Sequence, residues 1–321
     1  MKIGVASLVG IEPLPFPDLV RQASECGLET IEVNAGPGFK PIADAGYGGH
    51  LDLRAIVEQG PGPIEELLRA HGVTISALAP MLNLLTPDER LREERVAALR
   101  LAIDACAALG VSTVVTYAGS AFGMHFWGLP GVADDHPSSR VAENLRLFRE
   151  VYAPLAAHAE GRGVRIAFET APRGGGEGNL AHSPELWDRL FEAVPSPALG
   201  LSFDPSHLVW LQIPDVPSVV RRYGARIYHV DGKDTEILPD RLAQQGILGS
   251  GWWRYRLPGF GSLDWAAIIA ALRDVGYDGA IDIENEDPER LGLAGAASAA
   301  EYLRGRLAAA GSRGAARRVV P

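Results

Sequence analysis

The chain has 321 residues, a formal net charge of −10, a hydrophobic fraction of 47% and two cysteines. These figures exclude extensive disorder and a disulfide scaffold, and the acidic balance opposes a general binder of nucleic acid or anionic membrane. The length admits either two domains or one α/β barrel with insertions.

Short, nearly continuous apolar runs alternate with longer amphipathic ones. Residues 2–7 predict a strand, and 17–26 a helix that stops at Gly27. A strand at 30–34, a helix at 63–71 and a strand at 74–78 come next. The pattern then predicts a helix at 87–109, opened by Pro87 and closed by Gly110, and a strand at 113–117. Gly119 to Ser138 is the longest irregular stretch, and a long helix is expected over 139–160. The second half predicts strands at 165–169, 200–204, 226–231 and 280–284. Helices at 184–194, 217–223, 264–275 and 296–307 separate or follow them. Proline starts and glycine stops recur at these boundaries. Cys26 and Cys106 fall in helices and read as buried thiols of a reducing compartment.

Eight strands alternating with helices predict eight parallel βα units closed into a single (β/α)8 TIM barrel. An open doubly wound sheet is the alternative, but no glycine fingerprint follows the first strand. The barrel is expected over residues 1–305, with 306–321 a flexible Arg/Ala/Gly-rich tail. The glycine run 174–178 reads as an active-site loop. The N-terminus carries no signal-peptide pattern and no stretch reaches about 20 apolar residues, so a cytoplasmic protein is expected.

A barrel of this class builds its site where strands end. The last four strands end in polar residues that packing does not explain. Glu169 closes the fifth strand, and Asp204 the sixth, with His207 three residues on. Alternation places His229, Asp231 and Lys233 on one face of the seventh strand, and Asp282 and Glu284 on one face of the eighth. Carboxylates that converge need a counter-charge, and an oxygen-rich set suits a hard divalent cation. Mn²⁺ is the first choice, with Mg²⁺, Co²⁺ or Zn²⁺ as alternatives. Lysine is rare in this chain (Lys2, Lys40, Lys233), and Lys233 alone falls at such a strand end.

At these residues the chain resembles the sugar phosphate isomerase/epimerase family of xylose isomerase-like barrels. The matching pieces are Phe168-Glu169-Thr170, Gly178-Asn179-Leu180-Ala181-His182, Phe203-Asp204-Pro205-Ser206-His207, Gly232-Lys233-Asp234-Thr235-Glu236, Leu257-Pro258-Gly259-Phe260-Gly261 and Ile283-Glu284-Asn285-Glu286-Asp287-Pro288. The resemblance implies metal ligation by Glu169, Asp204, a strand-seven residue and Glu284. Many relatives carry a histidine two residues before the Lys-Asp pair, where this chain has Asp231. Asp231 is taken as the ligand, with His229 reaching from deeper as the alternative.

The resemblance further implies proton abstraction beside a carbonyl through a metal-stabilised enediolate, with Glu169 and Glu284 as the acid/base pair. His207, His229, Lys233, Arg256 and Trp252 are expected to bind substrate, and Trp253, Arg254, Phe126, Trp127 and His50 are weaker candidates. The expected partner is a small carbohydrate, with no nucleic acid and no membrane, and by analogy a homo-oligomer. A lyase or dehydratase using the same site is the alternative outcome. A metal-free sugar-binding protein, a Schiff-base aldolase on Lys233 and an abasic-site endonuclease are further readings.

Overall fold

The computed structural model describes residues 1–7, 14–36, 49–121, 140–174 and 177–317. In chain order, β1 (Lys2–Ala6), α1 (Phe16–Glu25), β2 (Thr30–Asn34), α2 (Leu53–Gln59), α3 (Gly62–His71) and β3 (Thr74–Ala79) come first. Next are α4 (Glu89–Leu109), β4 (Thr113–Thr116), α5 (Val141–Arg162), β5 (Arg165–Glu169), two short strands, β6 (Arg173–Gly174) and β7 (Glu177–Gly178), and α6 (Pro184–Ala193). After these come β8 (Leu199–Phe203), α7 (Pro205–Trp210), α8 (Val216–Tyr223), β9 (Ile227–Asp231), β10 (Asp234–Ile237) and α9 (Pro239–Gln245). The last elements are β11 (Trp253–Arg256), α10 (Trp265–Asp274), β12 (Ala280–Ile283) and α11 (Gly292–Arg317).

Eight strands close a barrel in the order β1-β12-β9-β8-β5-β4-β3-β2. The strand pairs with a defined register are parallel, for example Gly4 opposite Asp282 and Glu169 opposite Ser202. These are the eight strands expected from the sequence, each within one residue at either end. The open doubly wound alternative is thereby excluded.

The chain divides into two compact units, Met1–Glu32 with Leu67–Thr74 and Asp204–Pro321, and Val33–Glu66 with Ile75–Phe203. In the first, α10 packs against α8 and α11, and Trp265, Ile269, Leu272 and Leu303 are fully buried. In the second, Phe148 and Tyr152 of α5 stack at 4.6 Å and meet Phe168 of β5 edge-on at 5.5 and 5.0 Å. The Tyr152 hydroxyl donates to the Tyr117 carbonyl at 2.7 Å, so this buried phenol is satisfied.

Two glycines are required by geometry. Gly110 ends α4 in the left-handed region with φ 67°, the stop its position predicted. Gly4 lies opposite Asp282, and a Cβ there would come within 2.0 Å of both Asp282 Oδ1 and Thr30 Oγ1. Its missing side chain leaves room for a carboxylate inside the barrel.

Some elements had no periodic signal. Helices α2, α7 and α9 are seven residues or fewer, too short for an amphipathic pattern to repeat. The last helix begins at Gly292 and continues to Arg317, through the Ala-rich segment expected as a tail. Alanine's high helix propensity accounts for the extension. Both cysteines are free thiols; Cys106 is buried, but Cys26 caps α1 and is only half-buried. Among the described residues no helix is long and apolar enough to cross a membrane.

Truncating the aromatic cluster should be costly, because surrounding side chains relax only partly into a large void. Phe148→Ala is expected to lower the unfolding free energy by about 3–5 kcal/mol, measured by denaturant titration.

Candidate active site

The sixth and seventh strand ends carry the densest polar cluster. Asp204 follows β8 and caps α7, its Oδ1 accepting from the Ser206 backbone N–H at 2.8 Å. The Asp-Pro step therefore does two things at once: proline starts the helix, and aspartate is left at its mouth. One turn on, His207 Nε2 lies 2.9 Å from Asp204 Oδ2. The Lys233 ammonium lies 2.9 Å from the same oxygen, 3.0 Å from Glu286 Oε2, and bonds Glu284 Oε2.

Asp204 and Lys233 are almost wholly buried, whereas the Glu284 and Glu286 side chains are 20% and 36% exposed. Burial alone would raise the Asp204 carboxyl, but the charges of His207 and Lys233 outweigh it and hold the group well below the usual carboxylate range. Burial would likewise lower Lys233, yet Asp204, Glu284 and Glu286 keep it firmly protonated. Glu284 goes the other way: burial raises it against the pull of Lys233, aided by Glu286, Asp231 and Asp204.

Deeper in the same compact unit lies a second layer. Asp231 of β9 is in register with Asp282 of β12. His229 Nε2 bonds Asp282 Oδ2 at 2.8 Å, while Asp282 Oδ1 accepts from Thr30 Oγ1 at 2.5 Å. His229 Nδ1 lies 3.6 Å from Asp231, and its Nε2 lies 4.0 Å from Glu32. Glu32, His229 and Asp231 offer ligand atoms that all lie within 4.8 Å of one another. Burial disfavours a charged imidazole here, but Glu32, Asp282 and Asp231 reverse the balance and push His229 up to about 10. Burial raises Glu32 to about 8, against the pull of His229.

An antiparallel hairpin of β10 and β11 follows β9, with α9 between its arms. It carries Trp252, Trp253, Arg254, Tyr255 and Arg256. Both arginines are held by carboxylates within the protein: Arg254 by Glu236 and Glu289, each at 2.7 Å, and Arg256 by Asp287 at 3.2 Å and Glu289 at 2.9 Å. Trp252 is 3% exposed and donates to the Ile247 carbonyl. Tyr255 reaches back to His207, Oη to Nδ1 at 3.0 Å, and its ring lies 4.5 Å from the Lys233 nitrogen.

In the other compact unit, Glu169 closes β5 and is 6% exposed. Its register partner is Ser202, two residues before Asp204 in the chain. Asn179 organises the loop after it. Its Nδ2 donates to the carbonyls of Glu169 and Ala171, and its Oδ1 accepts from the Gly119 N–H. His50 is buried, while Phe126 and Trp127 lie outside the described residues.

Of the expected site residues, Asp204, His207, Lys233 and Glu284 come together at the strand ends, and His229 and Asp231 form the layer below. Glu32, Asp282, Glu286 and Tyr255 join them without having been singled out as site residues. Glu286 had a signal, since it continues the alternation of Asp282 and Glu284. Glu32 and Tyr255 had none, because each lies far in sequence from the residues it meets.

A profile of xylose isomerase-like TIM barrels matches residues 20–306. The chain belongs to this family. The uncharacterised protein YfiH of Bacillus subtilis is 28% identical over 312 residues, covering 91% of this chain and 95% of that protein. Fructoselysine 3-epimerase of Shigella flexneri is 24% identical over 288 residues, covering 88% and 90%. An inosose dehydratase of Clostridium perfringens is 27% identical over 154 residues, 46% of this chain and 49% of the enzyme. Among solved structures, a D-tagatose 3-epimerase-like protein superposes with TM-score 0.69 at 21% identity, over 98% of this chain and 99% of its own. The IOLI protein, solved with a bound zinc atom, gives 0.66 at 19%, over 95% and 96%. These superpositions establish the shared barrel, and the relatives include both epimerases and dehydratases.

The deep layer sets a pH dependence. Glu32, raised to about 8, binds more protons folded than unfolded between its ordinary 4.5 and 8, so stability falls as pH rises through that window. His229, raised from 6.5 to about 10, contributes stability that is fully present below 6.5 and lost as pH rises through 10. His229→Gln leaves buried carboxylates without their cation and is expected to cost about 3–5 kcal/mol at pH 7. The gap to wild type should narrow toward pH 10.5 in denaturant titrations run across that range; a constant gap would contradict a charged His229.

Proposed function

We propose that this protein catalyses proton transfer at a carbon beside a carbonyl of a small carbohydrate, giving epimerisation or isomerisation. The observation that carries this reading is the convergence of Asp204, Lys233, Glu284 and Glu286 at successive barrel strand ends, with Glu284 raised in pKa beside a fixed ammonium. Burial shifts the Glu284 carboxyl upward, the direction in which a general base is tuned.

The donors fit a hard divalent ion. Asp204 and Glu284 already face one cation, the Lys233 ammonium, and every group in the set is a carboxylate oxygen donor. Glu169, Asp204, Asp231 and Glu284 would hold the ion, with His229 behind Asp231. When bound, it supplies Lewis-acid stabilisation of the negative charge that develops on the substrate oxygen.

The chain's own residues do the rest. Glu284 takes or returns the proton, and Glu169 has the complementary acid/base role. Lys233 neutralises the surrounding carboxylates and offers a donor to a substrate oxygen. Enolisation followed by loss of a β-leaving group gives a dehydratase from the same first step, a reading favoured by the inosose dehydratases among the relatives.

The substrate should carry no phosphate. Arg254 and Arg256, the expected anion binders of the hairpin, lie against Glu236, Asp287 and Glu289, whose charge offsets theirs. The remaining carboxylates would repel a dianion.

Two experiments test the proposal. With a ketose panel in deuterated water, solvent hydrogen should enter the substrate. Chelation should abolish this, added Mn²⁺ should restore it, and Glu284→Gln should slow it by about 10²–10⁴-fold. Exchange that persists undiminished in Glu284→Gln would remove that residue from proton transfer. In matched pairs of free and phosphorylated sugars, the free sugar should give the higher kcat/KM; preference for the phosphorylated member would refute the uncharged-substrate assignment.

A further inference from the structure

One polar side chain bonded to the end of β5 has no task in the proposed reaction. Asn179 is wholly buried and follows Glu169 by ten residues. Between them the chain runs out and back as the β6–β7 ladder, Arg173 opposite Gly178 and Gly174 opposite Glu177. Asn179 stands where that excursion returns. Its Nδ2 donates to the Glu169 carbonyl at 2.9 Å and to the Ala171 carbonyl at 2.7 Å. Its Oδ1 accepts from the Gly119 N–H at 3.0 Å and, more distantly, from the Ala181 N–H at 3.4 Å. One amide therefore ties the end of β5 to the segment after β4 and to the short 3₁₀ turn Leu180–His182.

Chemistry sets the orientation of this amide. Its nitrogen only donates and its oxygen only accepts. Two carbonyls lie at one end and two N–H groups at the other, so reversing the amide would set oxygen against oxygen. The Glu169 and Ala171 carbonyls lie at and beyond the end of a buried strand, where backbone groups need partners outside the ladder. A hydroxyl, with its single proton, could satisfy only one of them.

Asn179 is itself held fast. The Leu180 N–H donates to the Gly119 carbonyl at 3.1 Å, so Gly119 is bridged through both of its backbone groups. The indole of Trp187, also wholly buried, donates to the Ala181 carbonyl at 2.8 Å. At the next residue of the segment after β4, Asn83 accepts from the Ser120 N–H at 3.1 Å and donates to the Ser120 carbonyl at 3.0 Å. Two asparagines thus anchor that segment, and Asn179 joins it to the backbone of Glu169.

We propose that Asn179 is a positioning residue: its side-chain amide, anchored on Gly119 and donated to the carbonyls of Glu169 and Ala171, fixes the end of β5 and with it the direction in which the Glu169 side chain leaves the strand. The consequence for turnover rests on the acid/base role proposed for Glu169; the consequence for its backbone does not.

The test is Asn179→Ser, whose shorter hydroxyl keeps a cap for the 3₁₀ turn and loses the reach to Glu169 and Ala171. The chain has two Glu-Thr steps, 29–30 and 169–170. Metal-free protein labelled with ¹³C-carbonyl glutamate and ¹⁵N-threonine therefore gives two linked signals, and Thr170→Ser identifies the second. In Asn179→Ser the Glu169 carbonyl should move upfield, as a carbonyl does on losing a donor, while the Glu29 carbonyl stays in place. In variant protein shown by denaturant titration to be fully folded, kcat should fall about 10–100-fold with KM within about twofold. Asn83→Ala loosens the same segment but leaves the donors to Glu169 in place, and its kcat should stay within about threefold of wild type. An unmoved Glu169 carbonyl overturns the proposal. Equal losses of kcat in the two variants assign the effect to the segment after β4 and overturn it as well. A moved carbonyl with unchanged kcat overturns the link to the reaction. Should Asn179→Ser fail to fold, Asn179→Asp, which keeps the acceptor oxygen and removes both donors, gives the same readouts. In wild type both Asn179 Nδ2 protons should exchange slowly with solvent, and fast exchange overturns the proposal without any variant. Absence of turnover in wild type with the carbonyl shift intact would fault the proposed reaction and uphold the hold of Asn179 on Glu169.

Discussion

One buried ammonium organises the candidate site. Removing a lysine from water costs several kcal/mol, and the cost is offset only where carboxylates face it closely. Lys233 meets Asp204, Glu284 and Glu286, which come from the ends of two strands distant in the chain from each other. Those segments can meet only if β8, β9 and β12 are neighbours, which is their order in the barrel. Setting these three strands side by side and assembling the charged cluster are therefore linked.

The layer beneath obeys the same constraint with imidazole in place of ammonium. Glu32, Asp231 and Asp282 would repel one another in the barrel interior, and a protonated His229 is the group that holds them together. Gly4 leaves the space that Asp282 occupies. The polar interior is thus two stacked shells, each with basic side chains set among carboxylates. The upper shell is part exposed through Glu284 and Glu286, and the lower is sealed. Chemistry belongs to the shell that a substrate can reach.

The hairpin after β9 is an addition to the barrel strands. Its arginines pair with Glu236, Asp287 and Glu289, and through the last two they fasten the hairpin to the segment after β12. Its tyrosine points the other way, into the cluster. Enolisation is a step that epimerisation and dehydration can share, and a leaving group on the substrate decides between the two products.

Local sequence was enough for the barrel itself. Apolar runs of strand length, alternating with helices that start at proline and stop at glycine, require no distant partner to be recognised. It was also enough to flag Glu169, Asp204, Lys233 and Glu284, because a charge closing a buried strand conflicts with its surroundings wherever that strand ends up. The hairpin was harder to see, since its two strands are four residues each and separated by a helix. The partners of Glu32, Tyr255 and Arg256 came from tertiary structure alone. Glu32 looks like any strand glutamate until β2 and β9 bring it toward His229. Arg256 looks like an anion-binding arginine until Asp287 and Glu289 are found on its guanidinium. Sequence periodicity determines which face of an element a residue occupies. Only the closed barrel decides which charge stands opposite, and that charge determines whether a buried ionisable group binds substrate, moves a proton or holds a neighbour in place.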